Sequence, residues 1–173
     1  MVLILRTTQL KSTNIYKGYK MALLGNIIWF LLGGWLLFIL YSISAIIFFP
    51  VFLPLFRIAV YAAFPFGRSV ISKRKLDKYR ELNGNDTENS AMTTVAGFLN
   101  ILWIITFGWI LALSHLLASI ANLFLFFLII TIPNITGHWK MIRIAFMPFN
   151  TVIIPKTLAN EIDTALAKGK FNL

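Results

Sequence analysis

A chain of 173 residues that is 58% hydrophobic, with a mean hydropathy of +0.79, is too apolar for an ordinary soluble domain. Its formal charge of +10 comes from cations bunched beside long apolar runs, which points to loops facing anionic lipid and argues against nucleic-acid binding. With no Cys in the chain, disulfides, thiolate metal sites and thiol nucleophiles are excluded.

Residues 1–20, MVLILRTTQLKSTNIYKGYK, hold four cations and no acid. They read as a basic cytoplasmic leader, and the same composition suits a mitochondrial transit peptide. A first membrane unit covers 21–71. Uncharged residues run from Met21 to Phe56, broken by Gly33-Gly34, Ser42, Ser44, Pro50 and Pro54. Arg57 follows, then a second apolar stretch closing on Phe64-Pro65-Phe66-Gly67 and the basic run from Arg68 to Lys75. Residues 72–94 are taken as a polar cytoplasmic loop, and the segment ELNGNDTENS within it has the composition of flexible turns.

A second membrane unit covers 95–154. It opens with Ala96–Thr131, thirty-six residues without Lys, Arg, Asp or Glu, enough for one long tilted helix or a tight hairpin. The units are copies. Asn100-Ile-Leu-Trp103 then Gly108-Trp109 matches Asn26-Ile-Ile-Trp29 then Gly34-Trp35 at one offset, while Pro133, Lys140, Pro148 and Phe149 match Pro50, Arg57, Pro65 and Phe66 at an offset nine residues longer. Nine helical residues amount to about 13 Å, some 7 Å on each arm, so the first hairpin is expected to be short and re-entrant and the second deeper. In the tail, 155–173, Leu158, Ile162 and Leu166 recur at four-residue spacing, as in an amphipathic helix; a frayed terminus is the alternative.

Leader, middle loop and tail all carry cations, so the positive-inside rule puts the three on one face and each copy crosses an even number of times. The expected architecture is an all-α membrane protein of two tandem helical hairpins, about four membrane segments in all. The competing arrangement has one crossing per copy and an amphipathic helix on the surface. Asn85-Asp-Thr87 and Asn134-Ile-Thr136 match the glycosylation triplet, a pattern common by chance.

The doubled pattern of Asn-Ile-x-Trp, Gly-Trp and a cation in a Pro-bracketed segment closing on Pro-Phe-Gly-Arg-x-Val resembles the YccF-domain family of small bacterial inner-membrane proteins. Residues Asn26–Ile71 and Asn100–Ile154 carry the likeness, together with Gly108-Trp109 and His115 behind it. The second copy departs by closing on Pro-Phe-Asn-Thr where the family has Gly-Arg. The resemblance implies a multi-pass protein of a bacterial inner membrane and no established activity. The leader keeps a mitochondrial inner membrane as the alternative.

No acid lies between Lys20 and Asp77 or between Glu88 and Glu161. A carrier carboxylate at membrane depth and a metal-ligand cluster are therefore not expected, nor is any cofactor. The two His residues lack a nucleophile–base–orienter set, so an enzyme is not expected either. On a continuous helix Gly108, His115, Ala118, Ser119 and Asn122 share one face, which must meet protein or water because unpaired polar groups in hydrocarbon are costly. That face is either helix-packing glue or the lining of a wet path between copies or protomers.

Arg57 and Lys140 each lie seven residues after one Pro and eight before another. They are candidate ligands for an anion or a lipid headgroup, with His138 and Arg143 beside Lys140; snorkelling to the membrane surface is the plainer reading. Asn26 and Asn100 can pair across the pseudo-symmetry axis or bond to backbone at the membrane border. Trp29, Trp35, Trp103 and Trp109 are candidate interface anchors, the second of each pair being expected inside. The function these features suggest is a homo-oligomeric pore or passive transport module for ions or small solutes. A non-catalytic accessory or scaffold subunit of a larger membrane complex is the alternative. Expected partners are anionic lipids and further membrane subunits, with no nucleic acid.

Overall fold

The computed structural model describes residues 18–85, 90–125, 128 and 131–170. Most of the leader and of the triplet at 85–87 thus lies outside the described residues. Two long helices dominate: α1, Gly18–Ile47, of 30 residues, and a second of 32 residues, Thr93–Phe124, designated α4 below. At 1.5 Å per residue they measure about 45 and 48 Å, more than the roughly 30 Å of a hydrocarbon core. Each contains one π-helical turn at the same place in its copy, Phe30–Gly34 and Ile104–Gly108.

Each long helix is followed by a shorter return. In the first copy a 3-10 turn, Phe49–Val51, leads into α2, Phe52–Ala63. In the second the return helix, designated α5, is Ile132–Phe146. Pro50 and Pro133 sit in the first turn of their elements, where a missing N–H costs nothing. Pro65 and Pro148 end the returns by forcing the residue before them out of helical geometry: Phe64 has φ −140° and ψ 69°, and Met147 φ −131° and ψ 66°.

A short strand then leaves each hairpin, β1, Arg68–Ser72, and β2, Thr151–Pro155, leading into α3, Lys73–Leu82, and α6, Lys156–Lys170. The strands pair antiparallel, with Arg68 opposite Pro155, Val70 opposite Ile153 and Ser72 opposite Thr151. A two-stranded ribbon is marginal alone. Here Ile71 and Ile154 pack with Ala159 and Ile162 of α6, flanked by Leu76, Tyr79, Leu158 and Leu166. The Ser72 hydroxyl accepts from the Lys75 N–H and caps α3,. Residues 73–82, within the expected polar loop, are helical. The four-residue spacing in the tail is the buried face of α6.

Pairing of β1 with β2 brings the ends of both hairpins to one face. The start of α1 lies there too, since Asn26 bonds to Phe66 and Ala22 lies against Gly67. The start of α1 and the helices α3 and α6 thus lie at one end of the described fold. The first hairpin is the shorter, by less than the nine-residue insertion suggests. Ile47 ends α1, its counterpart at the first offset is Ala121, and α4 continues to Phe124. Three extra residues add about 4.5 Å. The rest of the insertion falls in the connection to Thr131, whose hydroxyl donates to the Leu125 and Leu128 carbonyls at 2.8 and 2.9 Å. The return segments, Phe49–Ala63 and Ile132–Phe146, have 15 residues or fewer of helix each. At about 22 Å they fall short of a full span.

Candidate functional site

The repeated motif is a latch that closes each hairpin. Trp29 Nε1 donates to the Ala62 carbonyl at 2.7 Å, and Trp103 Nε1 to the Ala145 carbonyl at 2.7 Å. Ala62 and Ala145 lie in the last turns of the returns, where carbonyls have no partner within the helix. One turn earlier, Asn26 Oδ1 accepts from the Phe66 N–H at 2.8 Å and its Nδ2 donates to the Phe66 carbonyl at 3.1 Å. Asn100 Oδ1 accepts from the Phe149 N–H at 3.1 Å, while its Nδ2 is buried with no hydrogen-bond partner among the described residues.

Glycine makes room for the indole. A Cβ on Gly34 would lie 2.4 Å from Trp29 Cδ1, and one on Gly108 2.9 Å from Trp103 Cδ1. Gly108 therefore belongs to the latch. Asn26 and Asn100 do not meet across an axis; each bonds to backbone of its own hairpin.

The tryptophans take the opposite roles from those expected. Trp29 and Trp103 are buried, while Trp35 and Trp109 are 46% and 51% exposed. Six residues advance about 600° around a helix, so members of a pair cannot face the same side. The indole that finds a carbonyl is the one that goes inside.

Where the copies meet, equivalent positions touch. Tyr41 and His115 are separated by the same offset as Asn26 and Asn100, and Tyr41 Oη lies 3.1 Å from His115 Nε2. His115 Nδ1 in turn lies 3.1 Å from His138 Nδ1. The His138 ring packs on Trp29 with centroids 4.6 Å apart, and Gly137 lets that indole approach, since a Cβ there would lie 2.5 Å from Trp29 Cζ3. His138 thus departs from the headgroup group proposed beside Lys140: it points inward from α5 and continues the Tyr41–His115 line. Each neutral ring can donate from one nitrogen and accept at the other, so with Tyr41 donating to His115 Nε2 the His115 Nδ1–H donates to His138 Nδ1,.

The rest of the polar stripe is also occupied within the chain. Ser119 Oγ donates to the Ile135 carbonyl at 3.2 Å, and Asn122 Nδ2 to the Ala118 carbonyl of its own helix at 2.8 Å. His115 and Ser119 are buried; Asn122 is half-buried. Among the described residues no three His, Asp or Glu side chains converge as a metal site.

The cations separate. Lys140 and Arg143 are exposed on α5. Arg57 and Arg68, also exposed, line a groove between α2, β1, the start of α4 and residues 148–155. Sequence reasoning passed over Tyr41 and the position of Arg68. Tyr41 was discoverable, because it occupies the His115 position in the other copy.

Two latched hairpins joined beneath one basic cap define an internally duplicated, multi-pass membrane protein. The model of the YccF inner membrane component domain matches residues 24–68 and 98–151, one hairpin each. The inner membrane protein YccF of Escherichia coli (strain K12) is 30% identical over 152 residues, covering 84% of this chain and 96% of the relative, and the protein of the same name from Shigella flexneri matches equally. The chain belongs to the YccF family and is an integral protein of a bacterial inner membrane, the first of the two locations considered. No solved structure matches it.

Proposed function

We propose that the chain is a non-conducting, non-catalytic accessory or scaffold protein of the inner membrane. One observation carries this reading. His115 and Ser119, the buried residues that could have lined a polar path, bond to Tyr41, His138 and Ile135 of the same chain, and the Asn122 Nδ2 bonds to Ala118 of its own helix. A homo-oligomeric pore needs such groups turned outward to water or to a second protomer. The outer faces of the long helices instead carry Leu31, Leu36, Ile43, Ile105, Leu113 and Leu117, side chains suited to lipid or to apolar faces of neighbouring subunits. Beneath them the cap presents Arg74, Lys78, Lys156 and Lys168 to anionic headgroups,.

Reconstitution tests this directly. Liposomes containing the purified protein should hold potassium and chloride gradients as long as protein-free liposomes do. Gentle solubilisation of membranes should recover the chain with other membrane subunits in fixed ratio. Ion leak that changes in His115→Leu or Asn122→Leu would overturn the reading in favour of a pore.

A further inference from the structure

We propose that the groove between the two repeats is a binding site for one anionic phospholipid. Arg57 and Arg68 hold its phosphate, and an acyl chain lies against Val51, Phe56, Val95 and Leu99. The open groove has a volume of about 1110 Å³, just above the roughly 300–1,000 Å³ typical of ligand sites. Its lining is amphiphilic. Its cations are Arg57 of α2, Arg68 of β1 and Lys73, and the rest of its wall is mostly aliphatic and aromatic, supplied by α2, the start of α4 and residues 148–155.

The charge is suited to an anion. No acid lines the groove, and all six acids of the chain lie at 77–88 and 161–163. In the cap Lys75 pairs with Asp163 and Arg80 with Asp77; among the described residues no carboxylate pairs with Arg57 or Arg68. Guanidinium forks match phosphate oxygens in a bidentate way that ammonium groups do not.

The apolar walls identify the occupant as a lipid. Free phosphate would use the arginines and leave the walls unfilled, whereas a peptide would have to bury backbone polar groups against them. The site is also single. Pro65-Phe66-Gly67-Arg68 becomes Pro148-Phe149-Asn150-Thr151 in the second copy, so Arg68 has no counterpart there, and one molecule per chain is expected.

The test is native mass spectrometry of the purified full chain in detergent doped with dioleoyl-phosphatidylglycerol, dioleoyl-phosphatidylcholine or inorganic phosphate. The wild-type chain should retain one phosphatidylglycerol in preference to phosphatidylcholine, and Arg57→Gln with Arg68→Gln should weaken that retention about tenfold or more, as loss of charge-assisted contacts requires. Lys140→Gln with Arg143→Gln should leave it unchanged. Equal retention in both double variants would overturn the site, and phosphate alone competing off the adduct at equal concentration would overturn the lipid assignment. A second measurement needs no variant: phosphatidylglycerol bearing a diazirine on its acyl chain should label Val95–Leu99 in the wild-type chain above the outward-facing Leu113–Leu117. Labelling confined to Leu113–Leu117 would refute the proposal.

Discussion

Replacing Asn26 and Asn100 in turn by Leu separates the two latches. Asn26→Leu removes two hydrogen bonds and leaves both the N–H and the carbonyl of Phe66 without their partner. A net bond contributes about 1 kcal/mol in water and about 0.6 kcal/mol between membrane helices, so the loss should be about 1–2 kcal/mol. Asn100→Leu removes one bond, to the Phe149 N–H, for about 1 kcal/mol. It also deletes an amide nitrogen that is buried without a partner among the described residues. Relief of that desolvation returns an amount of the same order, about 1 kcal/mol. The second variant should therefore lie within about 0.5 kcal/mol of wild type. Equilibrium unfolding of the purified chain in mixed micelles of increasing SDS content, followed by tryptophan fluorescence, measures both. An Asn100→Leu cost equal to or above that of Asn26→Leu would refute the reasoning.

Gly34→Ala drives a Cβ to 2.4 Å from Trp29 Cδ1 and Gly108→Ala to 2.9 Å from Trp103 Cδ1. Melting of detergent-solubilised protein should show the first variant the more damaged, by about 3 against 1–2 kcal/mol, while Gly97→Ala, in a helix and with nothing within 4 Å, should be unchanged or stabilised by up to about 1 kcal/mol. Tyr41→Phe leaves His115 Nε2 buried without its partner and should cost about 1–2 kcal/mol in the same melts; an unchanged melt would remove this contact from the account. In the cap, the hydrogen bond to Glu161, then desolvation and the charge of Glu161, raise Tyr79 above the ordinary 10.0. The folded value exceeds the unfolded one, so the contact is complete below about pH 10 and is lost as pH rises through the folded value. The difference in alkaline ultraviolet titration between wild type and Tyr79→Phe should show a phenol titrating above 10.0, returned towards it by Glu161→Ala. A phenol titrating at the ordinary value would contradict the contact.

The duplication was legible because the latch demands the same residues at the same spacing in each copy. Asn26 and Asn100, Trp29 and Trp103, and Gly34 and Gly108 all do the same work twice. The need to satisfy His115 and Ser119 was legible too, since hydrocarbon allows no alternative; which groups satisfy them was not. Tyr41 lies 74 residues from His115, and no local pattern reports a contact at that range. The ribbon escaped for the same reason. RSVIS and TVIIP are five residues each, too short to show alternation, although β-branched runs directly after both Pro-Phe closures are a signal that could have been used. His138 was grouped with Lys140 by nearness in sequence, yet two residues turn a helix by about 200° and send the two side chains to opposite sides.

The account stands on both hairpins returning to one face, where β1 and β2 join. The chain has no Cys, so single cysteines can be read without background. Lys78→Cys in α3 and Asn160→Cys in α6 should react with a membrane-impermeant maleimide only in inverted inner-membrane vesicles, which expose the cytoplasmic side. Leu125→Cys, at the far end of α4, should react only in spheroplasts. Reaction of Lys78→Cys and Asn160→Cys from opposite sides of the membrane would contradict the paired ribbon and the fold built on it.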